Sequence, residues 1–369
     1  MTNDYKKMNK KFIIAGGGTG GHIFPAIAIA NALRQKLPDA EFLFVGAKGK
    51  MEMEKVPQAG FKIEGLDIAG FNRSSLIKNI GLPYKLLTSF LQVRKILNRF
   101  KPDAVVGVGG YSSYPVLRSA QARGISTFIH ESNAFAGKAN IMLGKKAIKI
   151  FVPTGGMEKF FSIGKIVITG NPVRKAITRM KGGRNEALAF FGLDSEKITV
   201  LSMGGSLGAN AINQAVEAGL YKIESSNLQL IWQTGKPYAE QAKKVADGRN
   251  GIWTNDFIQE MEMAYTAADI VISRAGAMSV AELCVAAKPT IFVPYPFAAE
   301  DHQTHNAKVL VDKNAAMMIR DVDAKNMLIE TVIGLAKNDA LKKVLAENIS
   351  KEAIRNADEI IANEIIKCM

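Results

Sequence analysis

The sequence predicts an α/β protein built from two doubly wound, Rossmann-like domains in tandem. Three observations carry this: a length of 369 residues, short apolar runs alternating with helical patterns, and a strand, glycine turn and helix that begin near residue 11 and again near residue 197. At roughly 100 to 200 residues per domain, the length favours two domains. Short β-rich runs alternating with helices imply parallel sheets covered on both faces. A composition of 47% hydrophobic and 22% charged residues suits a folded chain and excludes wholesale disorder.

In the first half, residues 11–15 read as a strand, 16–21 as a tight glycine turn and 23–37 as a helix by apolar spacing. Further strands are predicted at 41–45, 104–108, 127–129, 150–152 and 167–169. The second half repeats the pattern with a strand at 197–202, a glycine turn at 204–208 and a helix at 210–218, then strands at 228–232, 251–253, 270–273 and 290–293. The join falls at Asn171-Pro172-Val173-Arg174, giving an N-terminal domain of residues 11–172 and a C-terminal domain of 173–351. Such sheets bind ligands at the carboxyl ends of their strands, so two domains facing each other across a cleft are expected.

Several classes are excluded. No window approaches the ~18 apolar residues of a spanning helix. The lysines before Phe12 precede an apolar run that glycines cut short of a signal-peptide core, so a cytoplasmic protein is expected. Cys284 and Cys368 lie far apart in helical stretches, and four histidines form no Cys/His cluster, so neither a disulfide framework nor a metal site is predicted.

Gly16-Gly17-Gly18-Thr19-Gly20-Gly21 formally matches the dinucleotide pattern G-x-G-x-x-G. The second strand, however, ends Gly46-Ala47-Lys48 and lacks the acidic residue that would hold an adenosine ribose, which argues against NAD. What remains is either a turn tightened by glycine or backbone amides at a helix N-terminus presented to an anion. Recurrence at Gly107-Val108-Gly109-Gly110-Tyr111 and Gly204-Gly205-Ser206-Leu207-Gly208 favours phosphate-bearing ligands. No lysine follows in P-loop spacing.

In order along the chain stand Gly17 to His22 with Pro25-Ala26, Gly109-Gly110-Tyr111, His130-Glu131-Ser132-Asn133, Gly170-Asn171-Pro172-Val173-Arg174, Gly204 to Ala209, and Ser273-Arg274-Ala275-Gly276-Ala277 leading to Glu282. Together these resemble the MurG family of UDP-GlcNAc:lipid I N-acetylglucosaminyltransferases, over residues 11–366. The resemblance implies a GT-B fold with the acceptor on the N-terminal domain, UDP-GlcNAc on the C-terminal domain, and a last helix, about 352–369, packing back on the first domain. It implies GlcNAc transfer to the 4-hydroxyl of MurNAc in undecaprenyl-pyrophosphoryl-MurNAc-pentapeptide (lipid I), giving lipid II and UDP with inversion and no cofactor. It further implies donor contacts at Thr19, Gly20, Gly21, Asn133, Arg174, Ser206, Ile258, Ala277, Met278, Ser279, Val280, Ala281, Glu282 and Gln303, with Gly109, Gly110, Tyr111 and His130 on the acceptor side. The chain departs from the family at Ala134 to Lys138 and at Thr304.

Each contact has a chemical rationale. Ser206 and its neighbouring amides suit a diphosphate, Glu282 can accept both ribose hydroxyls, backbone groups at Ile258 can pair with uracil, and Gln303 offers donor and acceptor to sugar hydroxyls. Transfer with inversion needs a base for the attacking hydroxyl. His22 leads, with loop rigidification as its alternative role, and Glu131 and His130 follow. His302 and His305 stand three apart without a third ligand, and Asp323 of Asp321-Val322-Asp323 reads as a helix cap, so a metal-independent reaction is expected.

The net charge of +14 is uneven, with +15 in residues 1–173 and −1 in 174–369. Between Asp67 and Asp103 all charges are basic. Leu86, Phe90, Val93 and Leu97 follow helical spacing and are expected in the core. Leu76, Ile77, Ile80 and Leu82 with Lys78 and Lys85 are expected to dock on an anionic membrane, making the protein peripheral on the cytoplasmic face of the inner membrane. Nucleic acid, the competing partner for such charge, lacks a recognition motif here. Two other functions fit the same architecture: a UDP-GlcNAc 2-epimerase, which needs acid/base carboxylates and no lipid, and a non-catalytic nucleotide-sugar-binding membrane adaptor.

Overall fold

Apolar runs with so few polar interruptions are satisfied only in sheets covered on both faces. The computed structural model describes residues 9–70, 81–180, 182–205 and 207–369. The chain divides into two compact units, Met1–Val173 with Asn356–Met369, and Arg174–Arg355.

In unit 1, β1 (Lys11–Ala15), β2 (Glu41–Ala47), β3 (Lys62–Leu66), β4 (Ala104–Gly107), β5 (Ser126–His130), β6 (Lys149–Val152) and β7 (Ile166–Ile168) form one seven-stranded sheet in the order β3-β2-β1-β4-β5-β6-β7. Every pairing is parallel. Residue alternation along β1 builds both cores. Ile13 and Ala15 pack with Val93, Leu97 and Leu117 on one face, while Phe12 and Ile14 pack with Ile29, Leu33 and Phe128 on the other. That second core also takes Ile361, Ala362 and Ile365 from the C-terminal helix Ala357–Lys367. Strand order reverses between β1 and β4, so the crevice expected of a doubly wound sheet lies at their carboxyl ends, where two glycine turns stand.

Unit 2 repeats this with β8 (Ile198–Met203), β9 (Leu228–Gln233), β10 (Ile252–Asn255), β11 (Ile270–Ser273), β12 (Thr290–Phe292) and β13 (Met317–Met318), in the order β10-β9-β8-β11-β12-β13. All of its pairings are parallel. Its reversal falls between β8 and β11, which lead into Gly204–Gly208 and into the helix Ala277–Ala286.

Three differences from expectation have physical causes. The first helix runs Gly20–Lys36, so Gly20 and Gly21 are helical rather than part of the preceding turn. The strands β3 and β13 were not anticipated: β3 is an edge strand with Glu64 and Gly65 in it, and β13 has two residues. On the helix Leu82–Phe100, Val93 and Leu97 are buried as expected, but Leu86 is 39% exposed and Phe90 is half-buried against Tyr114. The buried stripe is Ser89, Val93, Ile96 and Leu97, and the stripe Tyr84, Leu87 and Leu91 faces solvent.

Ile361 is fully buried against the sheet of unit 1. Ile361→Ala is expected to destabilise that unit by about 2–5 kcal/mol. Urea unfolding checks this, and an unchanged midpoint contradicts the assignment of the C-terminal helix to that core.

Candidate active site

In unit 1 the two glycine turns at the reversal point interlock backbone to backbone. The Gly17 amide donates to the Gly109 carbonyl at 3.3 Å, and a side chain on Gly110, whose φ is +82°, would overlap the Gly17 carbonyl. The Gly16 amide donates to Val45 at 3.1 Å and the Gly18 amide to Glu52 Oε2 at 2.9 Å. The amides of Gly16, Gly17 and Gly18 are therefore already engaged by the protein. These three amides thus tighten the turn, and the amides at the helix N-terminus, from Thr19 to Gly21, are the ones that remain for the expected anion.

His22 stands in the first turn of that helix. Its Nδ1 lies 3.2 Å from the Gly17 carbonyl and 3.3 Å from Thr19 Oγ1. A carbonyl can only accept, so Nδ1 carries the proton and Nε2 is the basic nitrogen. Nε2 lies beside Gly109, where an added Cβ would approach it to 2.8 Å. The ring of Tyr111 lies beside Gly18 and Gly70.

His130 and Glu131, expected as alternative bases, are both buried. The Glu131 carboxylate accepts from the amides of Asn133 and Gly137 at 3.0 Å each and from Asn140 Nδ2 at 2.8 Å, which occupies both oxygens in holding the loop that carries Asn133. Among the described residues, neither ring nitrogen of His130 has a partner at ordinary hydrogen-bond distance. Burial, reinforced by His22, pushes its pKa down to about 4, with Asn171 pulling weakly the other way. Neither residue is placed to take a substrate proton.

Unit 2 holds a cavity of about 510 Å³ at the carboxyl ends of β8 and β11. Arg174, Gly204, Gly205, Gly208, Ile258, Ser279, Glu282 and Gln303 line it. The glycine turn after β8 is pinned by Gln233, whose Oε1 accepts from the Gly204 amide at 3.2 Å and whose Nε2 donates to the Gly205 carbonyl at 2.9 Å. At the opposite wall Glu282 is 7% exposed and receives a bidentate pair from Arg174, Nε to Oε1 at 2.7 Å and Nη2 to Oε2 at 2.9 Å, with Tyr265 Oη at 3.2 Å. Burial works against the Arg174 charge, but the Glu282 carboxylate outweighs it and the pKa is raised. Gln303 Oε1 accepts from the amide of Tyr295, another residue of the cavity lining, at 2.9 Å.

The sequence supplies the last observation. Residues 12–152 match the glycosyltransferase family 28 N-terminal domain and residues 199–363 the family 28 C-terminal domain. The UDP-N-acetylglucosamine–N-acetylmuramyl-(pentapeptide) pyrophosphoryl-undecaprenol N-acetylglucosamine transferase of Phocaeicola vulgatus is 50% identical over 363 residues, 97% of this chain and 96% of that protein. The protein of the same name from Parabacteroides distasonis is 50% identical over 359 residues, 97% of this chain and 98% of that one. The crystal structure of Acinetobacter baumannii MurG aligns with a TM-score of 0.79 at 30% identity, over 98% of this chain and 100% of that chain. This chain belongs to the MurG family of family 28 glycosyltransferases. A UDP-N-acetylglucosamine 2-epimerase also aligns, with a TM-score of 0.68 at 13% identity over 97% of this chain and 96% of that one, and shares the fold alone.

For a MurG-family chain, the contiguous stretch from Ala277 to Glu282 contributes less than its length implies. It is helical, so residues three apart share a face. Ser279 and Glu282 line the cavity together with Gly276, whereas Ala277, Met278, Val280 and Ala281 do not. Ser206, Leu76, Ile77, Lys78 and Ile80 lie outside the described residues; Leu82 is half-buried and Lys85 exposed. Asp323 occupies a helix N-cap position without a capping bond, because its carboxylate pairs with Arg320 at 2.6 Å, while Asp321 pairs with Arg274. Arg274 also donates to the carbonyls of Val293 and Pro294, fixing the loop after β12. Sequence reasoning missed Gln233, Tyr265 and Glu52, none of which stands in a glycine motif.

The neutral His130 makes stability depend on pH. Its pKa is about 4 folded against 6.5 for an ordinary histidine, so between these values the unfolded chain binds a proton that the folded chain refuses. Its contribution is complete above about pH 6.5 and falls as pH drops towards 4, by up to about 3 kcal/mol. Urea unfolding across this range should give a shallower pH slope for His130→Gln than for the parent; identical slopes contradict this.

Proposed function

We propose that this protein transfers GlcNAc from UDP-GlcNAc to the 4-hydroxyl of MurNAc in lipid I, releasing UDP and lipid II. Near-half identity over almost the whole chain to transferases named for this reaction carries the reading. The site geometry accords with it: the cavity of unit 2 has an interrupted glycine turn on one wall and a buried carboxylate on the other, as a nucleotide diphosphate sugar requires. Unit 1 brings a histidine whose Nδ1 is held by the Gly17 carbonyl, which leaves Nε2 as the basic nitrogen. The epimerase and adaptor alternatives have no such support.

In this mechanism His22 Nε2 removes the proton of the MurNAc 4-hydroxyl as its oxygen attacks the anomeric carbon of GlcNAc from the face opposite the diphosphate. The bond from that carbon to the diphosphate oxygen breaks, its electron pair leaves with UDP, and the anomeric configuration inverts. The N-terminus of the helix that follows the turn at 204–208 meets the developing charge, so no metal is needed. In unit 2, Arg174, Ser206, Ile258, Ser279, Glu282 and Gln303 contact the donor. Gly109, Gly110 and Tyr111 serve the acceptor. Because Glu282 is already held by Arg174, it keeps roughly one acceptor position for a ribose hydroxyl instead of two.

Among the described residues no helix is long and apolar enough to cross a membrane. The exposed Tyr84, Leu87 and Leu91 share a helix face flanked by Lys85, Arg94 and Lys95. We assign membrane docking to this face with the neighbouring basic segment, at the cytoplasmic surface and with no role for nucleic acid.

Incubating the protein with labelled UDP-GlcNAc and a short-chain lipid I analogue should yield a disaccharide lipid and UDP. Conversion to UDP-ManNAc without disaccharide would instead identify an epimerase, and donor binding without turnover an adaptor. His22→Ala should lower kcat by about 10²–10⁴ with donor affinity nearly unchanged; full activity eliminates it as the base. Leu87→Glu combined with Leu91→Glu should reduce sedimentation with anionic liposomes, and undiminished binding removes this face from the docking surface.

A further inference from the structure

Glu52 is the least expected residue of unit 1. It opens the short helix Glu52–Gln58, a place where glutamate is ordinarily solvated, yet it is 1% exposed. Its Oε1 accepts from the Ala47 amide at 3.0 Å and its Oε2 from the Gly18 amide at 2.9 Å. Among the described residues no lysine, arginine or histidine pairs with it. Its charge is met by two backbone amides, one at the end of β2 and one in the first glycine turn. Space is reserved for it, since a Cβ on Gly17 would overlap its carboxylate and a Cβ on Gly46 its Cγ.

The Gly18 amide nitrogen and the Gly17 carbonyl belong to one peptide group. The peptide is trans, so its N–H and C=O point to opposite sides. On one side the N–H donates to Glu52, and on the other the C=O lies 3.2 Å from His22 Nδ1. Glycine on both sides, with φ of +150° and +89°, permits this orientation. An anionic acceptor polarises the amide it binds, which makes that amide's carbonyl a stronger acceptor in turn.

We propose that Glu52 is a positioning residue for the base, acting on His22 through the intervening Gly17–Gly18 peptide. The series runs carboxylate, peptide N–H, peptide C=O, Nδ1–H, and serves the purpose a carboxylate serves when it binds a catalytic histidine directly. It holds the ring in the tautomer whose Nε2 is unprotonated, and steadies the imidazolium once Nε2 has taken the proton of the acceptor hydroxyl. No proton passes along the peptide. This inference rests on His22 being the base.

The first test uses the unaltered full chain: ¹⁵N NMR of its four histidines near neutral pH, with His22 assigned by difference against His22→Ala. A protonated Nδ1 with a bare Nε2 on neutral His22 is expected, and the opposite tautomer overturns the proposal even if no Glu52 variant folds. The second is a double-mutant cycle in the lipid I assay. Glu52→Gln keeps the shape but removes the charge and one acceptor; kcat should fall about tenfold or more with KM for UDP-GlcNAc within twofold. Added to His22→Ala, the same change should have no further effect. An equal fall in both backgrounds means that Glu52 only holds the fold, and no fall in the parent means that it does nothing for the base; either overturns the proposal. If His22→Ala alone is fully active, the base assignment fails first, whereas an inactive His22→Ala beside a fully active Glu52→Gln removes the relay alone.

Discussion

The carbonyl oxygen of Gly17 occupies the place where a side chain of Gly110 would stand, and the arrangement of unit 1 follows from that close approach. Two strand ends that meet at a reversal of strand order have room for a ligand only if their turns are compact. Here the turns are compact enough to bond to each other, with Gly17 donating to Gly109. Side chains are thereby pushed to the rim: Glu52 against Gly17 and Gly46, His22 against Gly109, and Tyr111 against Gly18. The glycines serve less to cradle a phosphate than to let one peptide be held from both sides.

Unit 2 meets the same topology differently. Its turn at 204–208 is held by Gln233, a neutral side chain that leaves the region without an internal anion. The negative charge stands across the cavity on Glu282, neutralised by the bidentate Arg174. Glu282 is buried while Arg174 is partly exposed, so removing the arginine leaves a buried carboxylate uncompensated, which is costly. Arg174 is also the first residue of unit 2, so its guanidinium ties the entry of the chain to the cavity wall. The two glycine turns look alike in sequence and differ in what holds them, a carboxylate in one unit and a neutral amide side chain in the other.

The layout of strands was legible because buried parallel strands are continuous apolar runs, and glycine clusters mark where they stop. Where burial is partial the signal fades. The edge strand β3, with Glu64 and Gly65, reads as a loop, and β13 is too short to read at all. Gly20 and Gly21 read as turn because glycine disfavours helix, yet the helix begins there. The candidate site was legible at His22, Arg174, Ser279, Glu282 and Gln303, which stand in or beside motifs. Pairings across the fold were not: Arg174 and Glu282 are 108 residues apart, and Gly18 and Glu52 are 34 apart. In Met51-Glu52-Met53-Glu54-Lys55 nothing distinguishes the buried glutamate from its solvated neighbour, because its burial is set by glycines in other segments.

The C-terminal helix places an order on how the protein is made. It seals a core of unit 1 whose remaining residues come from the first 173 positions. On the ribosome that core is complete except for Ile361, Ala362 and Ile365, and must wait until all of Arg174–Arg355 has been synthesised. At about 5–20 residues per second the delay is roughly 10 to 40 s. During that time the surface around Ile29 and Leu33 is a sticky apolar face on a nascent chain, and the half of the protein that begins synthesis first is the half that finishes folding last.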